Sequence, residues 1–269
     1  MRKIKFVLVS LVAAILVGCG TTSTVPITGR KQTLMVSDGE VLSLATQQYQ
    51  QFMASAKKSA NATNTAMVQR VGQKLANAVT QYLNANGLSS EVQNFAWEFN
   101  LVQDNQVNAW CMPGGKIVVY EGILPVTQDE ASLAIVLGHE IAHAVAKHSA
   151  EQLSNQMKQQ YGVQLGGAVL GALGMGQNTQ SVVQAIAAQG FNFANLKYSR
   201  NHENEADHIG LIIAAMAGYD PQVALTFWQR MASSSTNQTA EFLSDHPSDA
   251  TRIKNIQGWM SEALKYYKK

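Results

Sequence analysis

Two histidines four residues apart, with a glutamate directly after the first, are the side chains of this sequence best suited to chemistry. They stand as His139-Glu140-Ile141-Ala142-His143. The surrounding run from Ser132 to Ala146 holds no helix breaker but one glycine, Gly138. The spacing therefore predicts a helix with both imidazoles on one face. Two such rings can reach one zinc ion. Glu140 comes beside the metal position, where a carboxylate can take a proton from water held there. Leu133, Val136, Leu137, Ile141 and Ala144 make the helix largely apolar, which places the histidines inside a fold rather than on open surface.

A catalytic zinc keeps three protein ligands and one open position, so a third ligand must come from elsewhere. The six histidines are His139, His143, His148, His202, His208 and His246. A metzincin would need glycine and histidine where Ala146 and Ser149 stand, and an inverted HxxEH is absent. A carboxylate on a second helix remains. The stretch Ser199 to Asp207 offers Glu203 as a ligand. Asp207, one turn on, can accept the free ring N–H of a ligating histidine and fix its tautomer. Glu205 and His202 are alternatives on other faces of the same helix. A tetrahedral intermediate also carries an oxyanion. His246, in the turn Asp245-His246-Pro247-Ser248, and Arg252, in the helix that follows, are the candidate donors to it. Cys111 is read as a buried, inert thiol rather than a nucleophile.

The elements that must hold these groups can be read from periodicity. Helices are expected over Asp38 to about Lys58 and Asn64 to about Leu83. Phe95, Trp97, Phe99 and Leu101 alternate with polar or small residues, which is strand spacing, and Val107 to Cys111 and Lys116 to Tyr120 are two further strands around the turn Pro113-Gly114-Gly115. The histidine-bearing helix is expected from about Gln128 to beyond Glu151, reaching as far as Tyr161. Gly162 to Gly176 is apolar and rich in small residues, too short to span a bilayer, and fits a closely packed helix or a flap near the site. Helices over Ser199 to Gly218, Pro221 to Met231 and Thr251 to Tyr266 complete a mainly helical α+β chain with a small sheet beside the histidine helix.

Composition bounds the rest. The 269 residues are 46% hydrophobic and 14% charged, which suits one substantial domain. The net charge is only +2, and Arg2, Lys3 and Lys5 supply three of the positives, so no basic field for nucleic acid exists. Those three residues precede the apolar run Phe6 to Val17, which reads as a targeting segment. It ends in Leu16-Val17-Gly18-Cys19, which resembles a bacterial lipobox. The expected organisation is a lipoprotein signal peptide over 1–18, a lipidated tether over 19–37 with some ordered contacts, and a catalytic domain over 38–269. Acyl chains on Cys19 would hold the protein on a membrane surface, and Gly20 favours the outer membrane by resemblance to Gram-negative lipoproteins. With Cys19 modified, Cys111 is left without a disulfide partner.

Several stretches together carry a family resemblance. Val25-Pro26-Ile27-Thr28-Gly29-Arg30, Asn108-Ala109-Trp110 with Pro113-Gly114-Gly115, His139 to His143, Ser199-Arg200 with Glu203 to Asp207, and His246-Pro247 with Arg252-Ile253 occur in this order. The chain resembles the gluzincin metallopeptidases that include HtpX, Oma-like and CAAX prenyl proteases, and among them the periplasmic lipoproteins. The resemblance implies one zinc per chain, with Glu203 as third ligand, Asp207 supporting the site, Arg252 beside it and His246 assisting at the transition state. It further implies that Asn108, Ala109 and Gly115 contact substrate, the first two on an edge strand that pairs with an extended peptide. Trp110 stands where phenylalanine is more usual. The expected activity is zinc-dependent endopeptidase action on misfolded or misassembled envelope proteins, with envelope-assembly partners. The rival is an envelope chaperone or assembly factor that keeps the zinc site but rarely cuts.

Overall fold

The structure, a computed structural model, describes residues 21–165, 179–233 and 250–268. Cys19 with the segment before it, His246, and 166–178 of the glycine-rich stretch lie outside the described residues.

The described residues open with a hairpin. Strands β1 (Thr21–Thr24) and β2 (Lys31–Leu34) pair antiparallel. Val25, Gln32, Leu34 and Val36 are buried, so the hairpin is docked on the domain. Helix α1 (Asp38–Ser55) begins on a capping box, in which the Ser37 hydroxyl and the Glu40 carboxylate each accept the other residue's backbone N–H. Helix α2 (Ala62–Ala85) buries Val68, Val71, Leu75, Val79 and Leu83 along one stripe. A single turn, α3 (Ser89–Val92), leads to the sheet.

Strands β3 (Glu98–Val102), β4 (Ala109–Met112) and β5 (Lys116–Tyr120) form the order β3-β5-β4, with β5 central, parallel to β3 and antiparallel to β4. The first strand starts later than its alternation predicts. Phe95 and Trp97 stack instead, with ring centroids 4.6 Å apart, and Trp97 covers Gly115. The side-chain period of two splits the sheet between two cores. Leu101, Ala109, Cys111, Ile117 and Val119 face one, while Val102, Trp110, Met112, Val118 and Tyr120 face the other.

After the short α4 (Leu124–Thr127) comes α5 (Glu130–Val145), which carries the histidine pair and is N-capped by Asp129. Every residue from Ser132 to Val145 is buried. This helix is shorter than predicted. Lys147 takes φ +57, and α6 (His148–Leu165) sets off in a new direction. No glycine or proline marks the break. A left-handed lysine costs on the order of 1–3 kcal/mol, and the Lys147 ammonium is held in place by Asp38 and Glu91, each at 2.8 Å.

Helices α7 (Thr179–Ala188), α8 (Arg200–Met216), α9 (Val223–Ser233) and α10 (Ala250–Tyr266) follow. The first core joins one sheet face to α2, α5, α8, α9 and α10; the second joins the other face to α1, α6 and α7. No helix of the described residues is long and apolar enough to cross a membrane.

Candidate metal centre

Helices α5 and α8 cross at two glycines. A Cβ on Gly210 would fall 2.7 Å from the His139 backbone nitrogen, and one on Gly138 would fall 2.8 Å from the Gly210 carbonyl oxygen. This close approach lets side chains from both helices converge. His139 Nε2 and His143 Nε2 lie 3.1 Å apart. The Glu203 carboxylate spans them, with Oε2 3.4 Å from His139 Nε2 and Oε1 3.4 Å from His143 Nε2. Four-coordinate zinc with bonds of about 2.0–2.1 Å sets its ligand atoms roughly 3.3 Å apart. The three groups therefore fit a metal ion, and all are buried. Among the described residues they are the only His, Cys, Asp or Glu cluster of this kind.

The supporting groups show how the rings are held. His139 Nδ1 lies 2.8 Å from Asp207 Oδ1, so its ring N–H donates there and Nε2 is the nitrogen turned toward the metal position. Asp207 in turn accepts two bonds from the Arg252 guanidinium, at 2.6 and 2.7 Å, and Arg252 lies 3.6 Å over the Trp228 ring. Arg252 is thus placed behind Asp207, with a longer contact to Glu203 at 3.5 Å. Burial raises the Asp207 carboxyl, but Arg252 and His139 outweigh it and hold the group below its ordinary value.

The pocket favours one positive charge. Burial alone would lower His139, yet Glu203 and Asp207 push it up to about 10. His143 moves the other way, well below its ordinary value, because burial dominates and the neighbouring rings repel a second proton. Without a metal, the two imidazoles thus share one proton beside the buried carboxylate.

His143 has a partner that residue spacing does not predict. Its Nδ1 lies 2.9 Å from His148 Nδ1, and His148 Nε2 lies 3.0 Å from Glu205 Oε2. The Tyr198 ring stacks on His143 at 4.0 Å, with its hydroxyl 2.8 Å from Ser149 Oγ. On one continuous helix, a residue five after His143 would face elsewhere. The left-handed Lys147 turns His148 back toward it. Burial pushes His148 down to about 4 against the pull of Glu205, so it is neutral and can accept on one nitrogen and donate from the other. Glu205, an alternative ligand by sequence, is used in this contact, and His202 lies 3.1 Å from Glu151.

A model of peptidase family M48 matches residues 62–260. The chain belongs to peptidase family M48. It is similar to the mitochondrial metalloendopeptidase OMA1 of Schizosaccharomyces pombe, 38% identical over 177 residues that make up 65% of this chain and 50% of that protein. To the human mitochondrial metalloendopeptidase OMA1 it is 29% identical over 246 residues, 89% of this chain and 46% of that one. To the β-barrel assembly-enhancing protease of Escherichia coli it is 26% identical over 188 residues, 66% of this chain and 38% of that one. The chain spans about half the length, or less, of these curated relatives.

In this M48 chain, Glu140 is buried on α5 and close enough to Cys111 and Tyr198 that its charge raises both. Burial is the larger cause for each. Cys111 is pushed well above its ordinary value, which leaves it an inert thiol. Glu140 thus lies near Cys111 of β4, one of the two edge strands of the sheet. Tyr120 N–H donates to the Asn108 carbonyl, so the register turns the backbone groups of Ala109 and Cys111 away from β5. The Asn108 side chain accepts the outward Ala109 N–H at 2.8 Å. Gly115 lies apart, in the β4–β5 turn at φ +80, with its N–H bonded to Met112 and its carbonyl to Glu98.

Proposed function

We propose that this chain is a zinc-dependent endopeptidase in which His139, His143 and Glu203 hold one zinc ion. The observation that carries the reading is the spacing of the three ligand atoms, 3.1 to 3.4 Å, in a buried pocket. Zinc, when bound, lowers the pKa of a coordinated water and polarises a carbonyl. Glu140 takes a proton from the attacking water and delivers it to the leaving amine. Asp207, backed by Arg252, keeps the His139 ring in the tautomer that leaves Nε2 free. His246 donates to the oxyanion, on the strength of the family resemblance alone.

Substrate lies along β4 as an added strand. The Ala109 carbonyl and the Cys111 N–H and carbonyl face outward to receive it, whereas the Ala109 N–H is occupied by Asn108. Main-chain pairing of this kind selects extended peptides with little regard to sequence. Misfolded or misassembled envelope proteins are the substrate class, supported by the lipobox-like Leu16 to Cys19 and by the similarity to the β-barrel assembly-enhancing protease of Escherichia coli. An anchor on Cys19 places the domain at the outer membrane, facing the periplasm.

The test is casein digestion by the wild-type chain and by Glu140→Gln, with zinc content measured in both. The expected result is a loss of about 10²–10⁴-fold in kcat with one zinc per chain retained. Chelation should abolish cleavage in the wild type, and one equivalent of zinc should restore it. Full proteolysis by Glu140→Gln with zinc bound would remove the proposed base. A zinc-loaded wild type that never cuts would favour the chaperone reading.

A further inference from the structure

The turn between β1 and β2 is built at a conformational cost and aimed at the metal centre from outside. The Thr28 N–H donates to the Pro26 carbonyl at 2.8 Å, with Ile27 between them at φ +71. That is a γ-turn of the strained hand, in a β-branched residue that rarely adopts positive φ. The strain presents two side chains to one carboxylate. Thr28 Oγ1 donates to Glu205 Oε1 at 2.5 Å, and Arg30 Nε donates to Glu205 Oε2 at 2.6 Å. The rest of the Arg30 guanidinium makes a two-pronged contact with Glu151 on α6, at 3.1 and 2.8 Å.

Glu205 is not a terminus. It accepts from His148 Nε2, and His148 Nδ1 faces His143 Nδ1. If Nε2 of His143 keeps its lone pair for a metal, Nδ1 carries the proton and donates to His148. His148 then has its own proton on Nε2 and donates to Glu205. Each contact has one donor and one acceptor, and only one tautomer of each ring satisfies the chain.

We propose that the Val25–Arg30 turn is a working part of the metal site, in which Thr28 and Arg30 act through Glu205 and His148 as positioning residues for His143. They fix the ring tautomer and aim Nε2 at the metal position, as Asp207 and Arg252 do for His139. Both residues precede the 62–260 span matched by the family, whereas His148 and Glu205 lie within it. The inference rests on the zinc reading of the site.

The experiment measures zinc affinity of the full chain by competition with a chromophoric chelator, alongside Tm with and without zinc. The variants are Arg30→Gln, Thr28→Val, Thr28→Ser and Glu205→Gln, with Ser154→Ala as control. Ser154 accepts the Met35 N–H at 2.9 Å and docks the end of the hairpin without touching Glu205. The expected result is a 10–100-fold loss of zinc affinity in Arg30→Gln and Glu205→Gln. Thr28→Val should lose affinity and Thr28→Ser retain it, with a smaller zinc-induced rise in Tm wherever affinity falls. Ser154→Ala should bind zinc as the wild type does. Unchanged affinity in Arg30→Gln and Glu205→Gln, or an equal loss in Ser154→Ala, overturns the proposal. A wild-type chain that binds no zinc fails the metal reading itself, a different result from variants that bind as well as it does.

Discussion

Gly138 and Gly210 face each other where α5 crosses α8, and neither has room for a methyl group. The contact matters because His139 follows the first glycine, and Glu203 and Asp207 precede the second on its helix. Alanine favours a helix over glycine by about 1 kcal/mol. Here the obstructing atoms are backbone and cannot rotate away, so overpacking costing about 1–3 kcal/mol is the larger effect. Gly210→Ala should lower Tm by several degrees, at about 2–4 °C per kcal/mol for a chain of this size. It should also weaken zinc binding, because the two helices must separate. Calorimetry checks the first and chelator competition the second. A raised Tm would show that the crossing tolerates a side chain.

Arg252 carries a second expectation. Its guanidinium is buried and neutralises Asp207, with Glu203 nearby. Removing one partner of a buried pair leaves the other charge uncompensated, at a cost of about 3–5 kcal/mol. Arg252→Ala should therefore lose that much stability in urea unfolding and bind zinc more weakly. Asp207→Asn should also lower zinc affinity, since an amide holds the His139 N–H less strongly than a carboxylate. Wild-type stability in Arg252→Ala would contradict the arrangement.

Acid should act through Glu151. Burial would raise its carboxyl, but Arg30 and His202 outweigh it and hold the group below 4.5, its ordinary value. A carboxyl depressed on folding contributes stability that is complete above the unfolded value and is lost as pH falls through the folded one. The stability difference between wild type and Glu151→Gln should be largest near neutral pH and should shrink once pH drops below about 4.5. Denaturant titrations at a series of pH values measure this. A difference that stays flat down to pH 3 would mean that Glu151 is not stabilised by its partners.

The proposed anchor at Cys19 is tested by lipid labelling. Cys19→Ser in the full chain should abolish incorporation of labelled fatty acid, since no thiol is left at that position to carry acyl chains, whose burial contributes about 0.8 kcal/mol per methylene. Zinc content and casein cleavage should be unchanged in that variant. Labelling of the variant at wild-type level would place the lipid on another residue.

The legible parts of this molecule are those whose cause is local. The strand Lys116 to Tyr120 is read to the residue, because four consecutive strand formers, Ile117 to Tyr120, come just after a glycine turn. The convergence of His139, His143 and Glu203 follows from helical spacing and the need for a third ligand. The break after Val145 was hidden, because a lysine between two distant acids does what a glycine usually does. His148 and the true setting of Glu205 were hidden with it. The late start of β3 has the same kind of cause: Trp97 packs over Gly115, a contact that alternation cannot reveal. The 21–34 hairpin has too few apolar residues to announce itself, and its order comes from contacts with α6 and α8 made far along the chain.

Trp228 is buried beneath the Arg252 guanidinium, and its ring centroid is 6.3 Å from that of His139. An indole that near the ion position is an internal optical probe. Exchanging zinc for paramagnetic cobalt should dim its emission in step with loading, so occupancy can be followed by light alone, with no peptide present.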